Sequence, residues 1–470
     1  MRKTKVVCTI GPSSQNEKTL TAMFKAGMNV ARFNFSHGSH EEQQGKCDLV
    51  KKVREKLNLP IAIMLDTKGP EYRVGTFANG EITLKDGDDF TFTVEDIEGD
   101  QTKVSVSYKD LMKNLEPGDT ILVVNGLVKL EVVEVLEKEA KCKVIHGGTI
   151  ADKKSMNFPG KVMKQDFLSE KDKSDLLWGV RNEVDFVAAS FVSSKSDVIA
   201  MRKFLDENGG SEIEIIAKIE NRSGVDNIEE ICEVADGIMV ARGDLGVEIP
   251  AVEVPSVQKY LISKCRLLGK RVITATEMLE SMIQNPRPTR AEVSDVANAV
   301  YDGTSAVMLS GETAAGKYPV EALQTMIDTV EYTEQTIHYD RRFKNSEFVI
   351  KNTVDAISHA TCAMAMDVQA KGIVVNSLSG VTVRMVSRFR SPIDIIGMTT
   401  SKSAWRKLNL SWGVTPVLSG RFDSLEDIFN NDMVYAKQIL DLNEGDTIVL
   451  TGGTLTSATL NTNVIKVEQV

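Results

Sequence analysis

Four charged residues close two short apolar runs. Lys218 and Glu220 end Ile213-Glu-Ile-Ile-Ala-Lys-Ile-Glu-Asn221, and Arg242 and Asp244 stand toward the end of Gly237-Ile-Met-Val-Ala-Arg-Gly-Asp-Leu-Gly246. Apolar runs this short, bounded by polar residues, read as fully buried strands, and Arg222 to Ala235 between them reads as one helix. In a strand–helix–strand unit the two parallel strands point the same way, so both charged groups emerge at one sheet edge. Glu220 and Asp244 are hard oxygen donors suited to Mg²⁺ or Mn²⁺, which takes one or two carboxylates plus substrate oxygens and water. Neighbouring acids favour the protonated form of Lys218. A charged lysine stabilises a phosphoryl group in transfer, whereas a Schiff base needs the neutral amine. The chemistry indicated is a metal-assisted reaction on an anionic substrate.

Placing those residues takes a repeating scaffold. Eight apolar runs stand in the first 330 residues: Lys5–Ile10, Asn29–Phe35, Ile61–Leu65, Asp185–Phe191, Glu214–Ile219, Gly237–Val240, Arg271–Ala275 and Ala306–Leu309. Helix-like stretches between them include Glu17–Ala26, Glu41–Leu57, Lys195–Asn208, Val252–Leu268 and Arg290–Tyr301. This alternation predicts an α/β fold, a (β/α)8 TIM-type barrel with its site at the C-terminal strand ends. Those ends are polar: Arg32-Phe-Asn34-Phe-Ser36-His37, Asp66-Thr67-Lys68, Ser190, Thr274-Ala-Thr276-Glu277 and Ser310-Gly-Glu312 join the four residues above. Arg32 could clamp a phosphate or carboxylate bidentately. Asn34, Ser36, Asp66 and Thr67 offer oxygens that suit either a monovalent cation or ordinary turn hydrogen bonding.

The alternation breaks once. From residue 72 to 166 it gives way to period-two strands punctuated by Asn79-Gly80, Asp86-Gly87, Pro117-Gly118 and Asn125-Gly126, which predicts an inserted all-β lid domain. The barrel then comprises residues 1–71 and 167–344, and residues 345–470 read as a C-terminal α/β domain. Neither a Walker-type loop nor a Gly-x-Gly-x-x-Gly following a strand is present, so a nucleotide would bind in the cleft between barrel and insertion.

A net charge of −10 excludes general nucleic-acid binding while permitting a local cationic pocket. No apolar run approaches the length of a signal peptide or a membrane span, which predicts a cytoplasmic protein with no membrane partner. The six cysteines lie far apart with no Cys-x-x-Cys, and the histidines show no metal-ligand spacing, so buried free thiols are expected.

Several longer stretches point the same way: Thr9-Ile-Gly-Pro-Ser-Ser14, Gly27-Met-Asn-Val-Ala-Arg-Phe-Asn-Phe-Ser-His-Gly38, Leu65-Asp-Thr-Lys-Gly-Pro-Glu71, Ala217-Lys-Ile-Glu-Asn221 and Met239-Val-Ala-Arg-Gly-Asp-Leu-Gly-Val-Glu248. They continue through Asn285-Pro-Arg-Pro-Thr-Arg-Ala-Glu-Val293 and Met308-Leu-Ser-Gly-Glu-Thr313. In these stretches the chain resembles the pyruvate kinase family. The resemblance implies phosphoryl transfer from phosphoenolpyruvate to ADP, giving ATP and pyruvate. It implies catalytic Lys218, Arg32 and Thr276, with substrate also meeting Arg242, Gly243 and Asp244. It assigns Glu220 and Asp244 to Mg²⁺, and Asn34, Ser36, Asp66 and Thr67 to K⁺. It places Asn34, His37, Arg73 and Lys154 along the nucleotide, and it implies an allosteric homotetramer. Two readings compete: a metal-dependent aldolase or lyase on the same barrel, and a catalytically silent sensor.

The chain also departs from the family pattern. Val124-Asn125 stand before Gly126 where two aspartates are usual, Tyr72 replaces an aliphatic residue, Glu277 a glutamine, and Ala404 a hydroxyl residue of the allosteric loop. No phosphohistidine-type domain is expected after Val470. Glu71 accompanies K⁺ dependence in relatives resembling this chain.

Overall fold

The computed structural model describes residues 1–161, 163, 166–346, 348–422, 424–453 and 462–470. Eight parallel strands close into a barrel: Lys5–Thr9, Val30–Asn34, Ala62–Asp66, Phe186–Ala189, Glu214–Ile219, Gly237–Ala241, Arg271–Ala275 and Ala306–Leu309. The first strand pairs with the last, Lys5 opposite Ala306, so the sheet has no free edge. Nearly every residue of these strands is buried, because a parallel barrel is covered on both faces. Alternation then divides them into two shells. Val7, Val30, Met64, Phe186, Ile216, Met239 and Ile273 fill the interior, while Val6, Cys8, Ala31, Ile63, Val187 and Ile215 face the helices.

Capping explains where several helices begin. Ser39 and Thr289 each accept a bond from the third helical N–H, and the glutamates at those positions, Glu42 and Glu292, return one. Two helical expectations need correction. Residues 222–235 form two helices, Arg222–Asp226 and Ile228–Val234, rather than one. The break falls at Asn227, whose side-chain amide donates 2.9 Å to the Ser193 carbonyl. The helix expected from Val252 begins at Val254, after a 3₁₀ turn at Ala251–Glu253, with Pro255 in its first turn, where a missing N–H is harmless.

The insertion after the third strand is all-β, as expected. Its seven-stranded sheet starts and ends on adjacent strands, since Tyr72–Arg73 pairs with Ser155–Asn157. Its core includes Phe90, Phe92, Val104, Ile121, Leu130 and Val144. The turn glycines Gly80, Gly87 and Gly118 all have positive φ.

The C-terminal domain is a five-stranded sheet ordered Val414–Leu418, Asp394–Thr399, Gly372–Asn376, Thr447–Gly453 and Thr462–Gln469, with only the last pairing antiparallel. Ala404, expected on a loop, is buried in the first turn of the helix Lys402–Leu408. This domain docks beneath the barrel through ion pairs: Arg271 and Arg384 meet Glu214, and Arg406 meets the fully buried Asp185 at 2.7 Å. All six cysteines are buried and free. Cys8, Cys47, Cys232 and Cys265 lie in the barrel, Cys142 in the lid core and Cys362 in the C-terminal core. Among the described residues no helix is long and apolar enough to cross a membrane.

Candidate active site

The strand ends build a buried ionic cluster. Lys218 Nζ donates 2.7 Å to Ser190 Oγ and stands 3.1 Å from Asp66 Oδ1 and 2.8 Å from Glu220 Oε1. Burial alone would lower its pKa, but Asp66, then Glu220 and Asp244, outweigh burial and raise it above the ordinary lysine value. Lys218 is therefore a fixed cation. Asp66, itself buried, binds Arg32 Nε at 2.6 Å through its other oxygen. Burial would raise the Asp66 carboxyl, yet Arg32 and Lys218 hold it below the usual carboxylate range. Arg32 also donates 2.8 Å to Thr9 Oγ1, which fixes its fork at the barrel mouth.

Glu220 is fully buried and caught between opposing influences. Its Oε2 accepts the Phe191 N–H at 2.6 Å. Burial pushes the carboxyl upward, the Asp244 charge adds to that, and Lys218 opposes it. Although Oε1 faces the Lys218 ammonium, it accepts no well-aligned hydrogen bond. A buried carboxylate oxygen with spare lone pairs, beside the exposed Asp244, is the donor set a hard divalent cation uses. Among the described residues no three His, Cys, Asp or Glu side chains gather in metal-binding geometry. Glu220 and Asp244 are the two carboxylates that could share such an ion, with the rest of its shell coming from substrate and water.

The sixth strand stops at Ala241 and runs straight into a seven-residue helix, Arg242–Glu248, where the apolar run predicts strand as far as Gly246. Its glycines Gly243 and Gly246 are poor helix formers, so tertiary contacts hold it in place. Arg242 aims its guanidinium at the carbonyls of Ala275, Thr276 and Glu277 and pairs with Asp295 at 2.5 Å. The Gly243 N–H donates 2.7 Å to Thr276 Oγ1. Thr276 and Glu277 have φ of 68° and 53°, a conformation rare for a β-branched residue, and Arg242 braces it from behind. The Arg242 side chain is therefore a brace for this loop.

Above the cluster opens a cleft of about 1120 Å³ between barrel and lid. The structure brings His37, Arg73, Lys154, Arg242, Gly243, Asp244 and Thr276 to its walls. Arg32, Asp66, Thr67, Lys218 and Glu220 are buried at the strand ends and are not among the residues lining the open cleft. Asn34 Oδ1 accepts the Ser36 N–H at 3.0 Å, and Thr67 Oγ1 accepts the Ser190 N–H at 3.1 Å, so turn hydrogen bonding engages part of that oxygen set. Glu71 does not stand alone as a negative charge: its carboxylate binds Arg73 at 2.6 Å and faces Lys68 at 3.5 Å. The sequence reading gave Ser190 no role, although its place at a strand end was visible. Asp295, inside the helix Arg290–Asp302, also has no role in the sequence pattern, because its contact with Arg242 joins residues 53 apart.

At the lid tip, Val124, Asn125 and Gly126 all have positive φ (54°, 53° and 85°), and Asn125 Oδ1 accepts from Ser155 Oγ at 3.1 Å. A valine there costs about 1 kcal/mol relative to residues that tolerate this region. Val124→Asp combined with Asn125→Asp is therefore expected to raise turnover without lowering the melting temperature. Unchanged or reduced turnover would show that the lid closes through other contacts.

A closed parallel barrel with an ionic cluster at its C-terminal strand ends, under an inserted β lid, defines a lidded (β/α)8-barrel enzyme. Family models agree in detail: "Pyruvate kinase, barrel domain" matches residues 1–323 and "Pyruvate kinase, alpha/beta domain" residues 355–468. The chain belongs to the pyruvate kinase family, and its function is that of a pyruvate kinase, a phosphotransferase. It is 48% identical over 474 residues to the pyruvate kinase of Clostridium acetobutylicum, covering all of both chains. It is 45% identical over 473 residues to that of Staphylococcus aureus strain MRSA252, covering 100% of this chain and 81% of the relative. The crystal structure of a pyruvate kinase from Cryptosporidium parvum superposes with a TM-score of 0.95 at 37% identity, covering 100% of this chain and 96% of that one.

Proposed function

We propose that this chain, as a cytoplasmic homotetramer, moves the phosphoryl group of phosphoenolpyruvate to ADP, with Lys218 at the centre of the reaction. The observation that carries this reading is the buried Lys218 ammonium, kept charged by Asp66 and Glu220 at the mouth of the barrel. Phosphoryl transfer needs little covalent help from the protein; it needs in-line positioning and positive charge where negative charge builds up. Lys218 meets the phosphoryl oxygens in transfer and the enolate oxygen that develops as the bond to phosphorus breaks. Arg32, steered by Asp66 and Thr9, contacts the phosphoryl group from the second strand. The backbone of Arg242 and Gly243 lines the carboxylate end of the substrate, beside Thr276 Oγ1, which accepts the Gly243 N–H. Thr276, on its braced left-handed backbone, belongs to the relay that returns a proton to the enolate carbon. His37, Arg73 and Lys154 line the nucleotide side, with Asn34 beside them.

Glu220 and Asp244 would hold Mg²⁺ or Mn²⁺, and Asn34, Ser36, Asp66 and Thr67 would hold K⁺; when bound, these ions supply positive charge to the anionic substrates. The pairing of Asp66 with Arg32 and Lys218, and the bonds that Asn34 and Thr67 accept, leave Ser36 Oγ as the least committed oxygen of the second set.

The test is a coupled assay for pyruvate formed from phosphoenolpyruvate and ADP. It should report turnover in Mg²⁺ and K⁺, and a sharp drop when a bulky organic cation replaces K⁺ at equal ionic strength. Glu71→Lys turns an anion into a cation beside Lys68 and Arg73 and should remove much of that dependence. Equal rates with and without K⁺ would rule out both the monovalent site and this role for Glu71. A lyase would instead release pyruvate from a substrate carrying no phosphate.

A further inference from the structure

Two lid contacts fall on the same short barrel helix. Asn157, at the end of the last strand of the lid sheet, donates its side-chain amide 2.8 Å to Glu248 Oε1. The same carboxylate accepts the backbone N–H of Phe158. At the lid tip, a Cβ on Gly126 would stand 3.6 Å from Val247 Cγ1, so the Val124–Gly126 turn lies over the residue next to Glu248. Glu248 ends the helix Arg242–Glu248, and Asp244 lies in its first turn. Four residues apart on a helix is one turn along the same face. Burial raises the Glu248 carboxyl, the Asn157 hydrogen bond opposes it, and the nearby Asp244 charge adds to the rise.

We infer that Asn157 and Glu248 form a latch that couples lid closure to the placement of Asp244. The inference rests on the reading of Asp244 as part of the active site. The lid tip contributes no charge at Val124 or Asn125 where it meets Val247, so the polar grip between lid and barrel helix comes from Asn157 on the adjacent residue, Glu248. Arg242, paired with Asp295, already holds one end of the helix, and a lid seated on Glu248 fixes the other, while the two glycines give the helix little rigidity of its own. Asp244 is then ordered when the cleft is covered and looser when it is open. Asn157 and Glu248 are positioning residues: they act on the site through the helix and the lid, and the hydrogen bond between them exists only with the lid seated.

A charge swap tests the latch. Asn157→Asp sets two carboxylates against each other where one hydrogen bond stood. Hydrogen bonds to charged groups are strong enough that its loss should lower kcat/KM for ADP by about tenfold or more, with a smaller change in KM for phosphoenolpyruvate. Adding Glu248→Gln restores a donor–acceptor pair in reverse and should recover most of the loss. A readout independent of turnover runs in parallel: amide hydrogen exchange at Phe158 and along residues 242–248 should speed up in Asn157→Asp and return toward wild type in the double variant. Wild-type exchange and kinetics in Asn157→Asp would overturn the latch, and so would a double variant no better than Asn157→Asp. If wild type formed no pyruvate, the functional reading would fall while the exchange data still decided the latch.

Discussion

Lys218→Met is expected to lower turnover by about 10²–10³-fold at saturating phosphoenolpyruvate and ADP, the usual consequence of removing one positioned group at a developing anion. Methionine keeps the length and the apolar stem, so the barrel interior stays filled. What disappears is a cation that touches Ser190, Asp66 and Glu220 together. Asp66 retains Arg32 at 2.6 Å. Glu220 loses the one ion-pair partner it has among the described residues and keeps the Phe191 N–H. Breaking a buried pair by removing one partner destabilises by about 3–5 kcal/mol where the remaining group stays charged. The variant should therefore also melt below wild type, while circular dichroism at 25 °C remains native. A variant that keeps most of the wild-type turnover would remove Lys218 from the mechanism. Borohydride trapping of a pyruvate adduct on the wild-type lysine would do the same, in favour of a Schiff-base lyase.

Glu220→Gln and Asp244→Asn should each raise the Mg²⁺ concentration for half-maximal activity by about 10–100-fold, the range measured when even outer-shell partners of a bound metal are removed. The two substitutions differ in their structural cost. Asp244 is exposed to the cleft, so its amide variant should fold and melt like wild type. Glu220 is fully buried, with Lys218 as its counter-charge. Its amide can keep the Phe191 N–H bond but leaves Lys218 with Asp66 alone. Titration of each variant with Mn²⁺, followed by proton relaxation, measures the ion without requiring turnover. If neither substitution weakens it, the divalent ion is held elsewhere.

The scaffold was legible because parallel barrel strands, covered on both faces, appear as continuous apolar runs. Glu214–Ile219, Arg271–Ala275 and Ala306–Leu309 match their expected limits, and the other five differ by one or two residues at one end or both. Strand ends in a barrel share one face, which is why Lys218, Glu220, Arg32 and Asp66 could be grouped before any coordinates. The helix Arg242–Glu248 was not legible: Arg-Gly-Asp-Leu-Gly has little local preference for helix, and contacts more than 30 residues away hold it. The Asn157–Glu248 contact spans 91 residues and two domains, and no local pattern signals it. Arg242 shows the opposite hazard, a residue placed correctly at the site whose guanidinium serves the loop behind it. Asn227 breaks its helix for a similar reason, because a side-chain bond to Ser193 from a neighbouring loop outweighs the continuity of the helical pattern.

The distribution of thiols gives this protein a built-in reporter of unfolding. Every cysteine is buried, and each of the three structural units holds at least one: Cys142 in the lid, Cys362 in the C-terminal domain and four in the barrel. A thiol reagent added to the native protein should find nothing to modify until a unit opens. Its rate of incorporation at each cysteine, located by peptide mass, then reads the opening free energy of that unit separately. If Cys142 is modified well before Cys8 and Cys265, the lid breathes independently of the barrel that carries it. If all six react together, the three units unfold as one.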